Sequence, residues 1–71
     1  MKTLPEILIW LSRPGFIRTI KVNFMTAGFW IELEEADSQP ECIEENYRKV
    51  SGPVRKDFFD AFNAARTKLE N

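Results

Sequence analysis

An α+β domain, in which an antiparallel β-hairpin packs against a long C-terminal helix, is predicted by three features of the chain. Residues 16–35 alternate apolar and polar side chains with a period of two. Residues 53–69 repeat apolar side chains at steps of three and four. The remaining segments carry helix caps and proline or glycine stops. The predicted order is α-β-β-α-α, with α-β-β-β-α as the alternative, in one small domain covering residues 1–71.

Thr3-Leu4-Pro5-Glu6 has the spacing of a capping box, with proline in the first turn where its missing N–H is not needed. A helix is expected from about Leu4 to Ser12. It ends at Arg13-Pro14-Gly15, because the residue before proline avoids helical geometry. Leu4, Ile7, Leu8 and Leu11 form one stripe while Ile9 and Trp10 fall outside it, so the helix is apolar nearly all round. Such a helix suits a wedge between hairpin and C-terminal helix. The alternative is that Ile9 and Trp10 form a docking surface or a homodimer seam.

Ile20, Val22 and Phe24 share one side of the first strand, and Phe29, Ile31 and Leu33 share one side of the second. Two registers keep these on a common face. One pairs Phe24 with Ile31 and the other pairs Phe24 with Phe29; a three-residue loop without a bulge would split the face. Gly28 supplies the positive φ that a tight turn needs. In either register Lys21 opposes Glu32 or Glu34. Arg18 falls in phase with the apolar side and is expected to escape at the sheet end.

Residues 41–50 read as a helix. Ser38 and Glu41 have capping-box spacing, and Glu44 with Arg48 and Glu45 with Lys49 are favourable pairs four apart. As a strand they give a poorer stripe of Ile43, Glu45 and Tyr47. The last helix, expected from about Pro53 to Leu69, carries Val54, Phe58, Ala61, Ala65 and Leu69 on one face, widened by Phe62. Its alanines permit close approach to the hairpin.

At 71 residues a single core is marginal, and the aromatic content of 13% supplies large buried areas per residue. The charge is unevenly placed. Residues 32–45 carry Glu32, Glu34, Glu35, Asp37, Glu41, Glu44 and Glu45 with no base, between flanks that are each net basic. One cysteine, Cys42, excludes an internal disulfide and any multi-cysteine zinc site, and suits the reducing cytoplasm. The longest apolar run, Ile7 to Leu11, is too short to span a bilayer, so no membrane association is expected.

Chemistry is harder to place in this chain. It has no histidine, hence neither the usual general base nor the commonest nitrogen ligand for a metal. Cys42 lies among Glu41, Glu44 and Glu45, which favour the neutral thiol. The carboxylates lack the spacing and glycine of a calcium loop, and three glycines form no phosphate loop. No enzyme, metal or cofactor is expected.

Two surfaces remain. Trp30 and Met25 stand on the outer hairpin face among charges, the composition of an interaction hot spot. With Glu32, Glu34, Glu35 and the docking candidate Trp10, they define a partner-binding set for a protein-interaction or regulatory module, complementary to a basic protein. Arg48, Lys49, Arg55 and Lys56, expected at the N-terminus of the last helix, define an alternative anion or nucleic-acid site. The negative net charge and the nearby Asp57 and Asp60 weigh against nucleic acid.

Overall fold

A computed structural model of the chain describes residues 2–38 and 47–71. Helix α1 (Leu4–Leu11) leads into strands β1 (Phe16–Met25) and β2 (Gly28–Asp37), then strand β3 (Arg48–Ser51) and helix α2 (Phe58–Glu70). The strands form an antiparallel sheet in the order β1-β2-β3, with both helices on one face. This is the α+β class predicted, with the alternative order α-β-β-β-α.

Thr3 caps α1: its hydroxyl oxygen accepts from the Glu6 N–H at 3.4 Å and donates to the Glu6 carboxylate at 3.0 Å. At the other end Ser12 Oγ donates to the Leu8 carbonyl at 2.8 Å, and Gly15, at φ +88°, turns the chain into β1. The hairpin takes the register that pairs Phe24 with Phe29, Val22 with Ile31 and Lys21 with Glu32, turning through Thr26 and Ala27. Gly28, at φ +142°, lies so close to the Arg55 carbonyl that a Cβ there would sit 2.4 Å from its oxygen.

The core forms where α2 crosses β2. Ile31 and Leu33 point inward and have no solvent exposure, roofed by Ala61, Phe62, Ala65 and Leu69. From α1, Ile7 and Trp10 complete it. The expected stripe holds in part: Ile7 is buried and Leu11 packs on the core, but Leu4 and Leu8 are exposed, and Trp10, expected outside the stripe, is only 8% exposed. The Trp10 ring meets Phe62 edge to face at 5.5 Å, and its indole N–H donates to Glu70 at 3.2 Å.

Arg18 does not escape at the sheet end, which corrects the expectation. Its side chain is 3% exposed, its Nε donates to Glu35 Oε2 at 2.8 Å, and a terminal nitrogen donates to the Trp10 carbonyl at 2.7 Å. The guanidinium lies 4.0 Å from the Trp10 ring centre. Register explains this, since Arg18 and Glu35 are directly opposite and share the inner face.

Two further boundaries differ. Arg48–Ser51 is strand rather than helix, pairing Arg48 with Glu35, Lys49 with Glu34 and Val50 with Leu33. Of the bases that the helix would have paired, Lys49 comes within 3.9 Å of Glu32, and the strand pairing closes one edge of β2. The rest of that expected helix, with its cap at Glu41, the acids Glu44 and Glu45, and Cys42, lies outside the described residues.

Helix α2 starts at Phe58, not Pro53, because Asp57 is its N-cap, accepting from the Asp60 N–H at 3.0 Å. The preceding segment is extended, and Arg55 exchanges backbone hydrogen bonds with Phe29 at 2.9 and 2.8 Å. With the helix starting later, Phe58 reaches Phe29, but among the described residues no helix roofs Phe24, which is 80% exposed.

Two measurements test this packing. Glu35→Ala leaves the Arg18 guanidinium enclosed without its partner and should cost about 3–5 kcal/mol, read from the urea unfolding midpoint, whereas Arg18→Met with Glu35→Leu should recover most of the loss. Gly52 lies against α2 so closely that a Cβ would fall 2.9 Å from Ala65 Cβ. Gly52→Val should therefore lose roughly 1–3 kcal/mol by overpacking, and Ala65→Gly in the same chain should relieve part of it.

Candidate functional site

Period two assigns the sheet face opposite the helices. Thr19, Lys21, Asn23 and Met25 from β1, Trp30, Glu32 and Glu34 from β2, and Lys49 from β3 point away from Ile31 and Leu33. Among the described residues no helix covers this face, since the buried side chains of both helices gather on the other. Trp30 is half-buried at its middle, directly opposite Asn23, and Met25 is 51% exposed at the hairpin tip. The Asn23 amide nitrogen is enclosed without a hydrogen-bond partner among the described residues.

The charges on this face are partly compensated. Glu32 lies 3.9 Å from the Lys49 ammonium, whose side chain is half exposed, a contact of little intrinsic strength. Glu34 accepts from the Tyr47 hydroxyl at 2.8 Å. That hydrogen bond, then loss of hydration and the negative charges of Glu34 and Glu32, raise the Tyr47 pKa above the ordinary 10.0. Beside this pair Ile17, Thr19, Glu34, Glu35, Ala36 and Tyr47 line a depression of about 240 Å³. Its open surface is almost wholly apolar.

The structure thus brings Trp30, Met25, Glu32 and Glu34 together and separates the others from them. Glu35 turns to the inner face, where it is committed to Arg18. Trp10 is core, so of the docking pair expected on α1 only Ile9 is exposed. The basic set is dispersed as well. Lys49 lies on the outer face, Arg48 opposes Glu35, and Arg55 and Lys56 occupy the extended segment before α2. Arg55 and Lys56 directly precede the N-cap of α2, where the carboxylate of Asp57 accepts from the Asp60 N–H.

Sequence reasoning missed the exposure of Phe24, Leu4 and Leu8. The all-round apolar character of α1 was the available signal for the last two, since one helix face cannot bury every such side chain.

Searches against family models, curated proteins and solved structures find no match to the chain. Among the described residues no group of potential ligands could hold a metal ion, and no helix is long and apolar enough to cross a membrane.

The Tyr47 contact yields a pH test. Because the folded pKa is raised, the folded state favours the neutral phenol, and the stabilisation present below the unfolded pKa is lost as pH rises through the folded one. Ultraviolet titration of tyrosinate should place the Tyr47 transition above that of free tyrosine, and Glu34→Gln should bring it back down.

Proposed function

We propose that the protein is a small non-enzymatic protein-interaction module that meets a protein partner through the open face of its sheet. The observation that carries this reading is Trp30 set in a face without a helix over it among the described residues, with exposed Met25 beside it. Aromatic and methionine side chains are enriched at protein interfaces, and a ring held partly in place loses little entropy on binding. The flanking charges Lys21, Glu32, Glu34 and Lys49 supply a polar rim. The weak Glu32–Lys49 contact at 3.9 Å leaves Glu32 able to exchange its partner for a basic group of the bound protein.

Affinity capture with the tagged chain, followed by Trp30→Ala and Met25→Ser in parallel, tests the assignment. Both variants should unfold within a few degrees of the parent, and the captured protein should be lost, with weaker retention of the parent as salt rises. Unchanged capture by both variants would overturn the assignment. So would specific retention on DNA at moderate salt that Arg55→Glu with Lys56→Glu abolishes.

A further inference from the structure

Strand β1 is the long edge of the sheet, and its backbone groups can be assigned directions. Phe29 exchanges backbone hydrogen bonds with Arg55, and the Ile31 carbonyl accepts from the Gly52 N–H at 2.9 Å. These β2 residues turn their backbone toward the β3 side, so their partners in β1, Phe24 and Val22, turn theirs away from β2. By the same alternation Ile20, Arg18 and Phe16 do so too. Among the described residues no other strand pairs with this edge.

Edges of this length are ordinarily guarded by proline, a bulge or an inward-pointing charge. Strand β1 contains no proline, and its register against β2 runs without a bulge. Its inward cation, Arg18, is neutralised by Glu35. Lys21 points to the outer face, clear of the hydrogen-bonding line.

We infer that β1 pairs antiparallel with β1 of a second copy of this chain, about a two-fold axis at Ile20, so that two sheets become one. Residues whose backbone faces the edge can only meet residues that do likewise, which leaves few positions for the axis. At Arg18 it opposes two guanidinium groups, and at Lys21 two ammonium groups. At Thr19 it sets Phe24 against Pro14, which has no N–H, and at Val22 it leaves the Phe16 end unpaired. At Ile20 it sets Arg18 against Val22, Lys21 against Thr19 and Phe24 against Phe16, with no like charges opposed.

The same arrangement covers apolar surface that the single chain leaves in water. Phe24, whose ring already meets Phe29 at 6.0 Å, gains a second aromatic partner. Helix α1 packs on β1 whereas α2 packs on β2 and β3, so the flank of α1 away from α2 overlooks the open edge. At about 100° per residue, Leu4 and Leu8 lie about 120° and 160° around α1 from Trp10, the residue that meets α2. Both are exposed, on the side of α1 turned away from Trp10.

The full chain should be followed by sedimentation velocity and by residue-resolved amide exchange between about 10 μM and 1 mM. The expected mass rises from 8.3 kDa toward twice that value. Protection at Ile20 and Val22 should rise about tenfold or more, while Lys21 and Asn23, already bonded to β2, change little. Val22→Pro removes an edge-facing N–H together with the valine's packing on the core, and should hold the chain at 8.3 kDa with an unchanged circular dichroism spectrum. If that variant fails to fold, the exchange pattern of the parent decides alone.

A constant 8.3 kDa across the range would overturn the inference. So would a dimer without new protection at Ile20 and Val22, which would place the seam on α1 or on the sheet face. The pairing is independent of the Trp30 surface, and Trp30→Ala should dimerise as the parent does.

Discussion

Strand β2 is the constraint on which the remaining structure depends. Among the described residues it is the strand paired on both sides, to β1 and β3, and α2 packs on it, which is why Ile31 and Leu33 lose all solvent contact. Small residues let the layers close: Ala61 and Ala65 on α2, and Gly52 just past β3. Length then limits what can be covered. A helix of 13 residues spans about 20 Å, whereas strands of ten residues span about 33 Å, so the hairpin overhangs its roof. Phe24 and Met25 stand in that overhang, and the molecule is correspondingly elongated, 40 by 23 by 19 Å.

The pleat also divides what is continuous in the chain. Glu32, Glu34 and Glu35 look like one acidic band, yet period two sends Glu32 and Glu34 to the outer face and Glu35 to the inner one. Each then has a different task. Glu35 neutralises a buried guanidinium, Glu34 accepts from a tyrosine hydroxyl, and Glu32 keeps a loose contact with an exposed lysine. An enclosed pair such as Arg18–Glu35 adds little net stability over an apolar pair of similar size, but it fixes register, because a slip would leave both charges unpartnered.

Much of this was legible because it rests on short-range regularities. Alternation set the hairpin, its common apolar face and the parity of its loop. The repeat at three and four set the last helix and its inward residues Ala61, Phe62, Ala65 and Leu69. Capping chemistry set the start of α1 at Thr3. The candidate surface was legible in the same way for Trp30, Met25, Glu32 and Glu34, which follow from strand phase alone. Phase also turns Glu35 inward, though its pairing with Arg18 needed the register, and the place of Trp10 was illegible because Phe62 is distant along the chain.

By itself, then, the order of residues determined the α+β class, the hairpin and the amphipathic tail, since each is written in contacts between near neighbours. Tertiary structure decided that Arg48–Ser51 would be strand, that α2 would wait until Phe58, and that α1 would turn Trp10 inward rather than Leu8. Local preferences there differ by only about 0.2–0.5 kcal/mol per pair. Pairing with β2, or a ring against Phe62, outweighs them, and neither partner lies within the window that a local pattern can see.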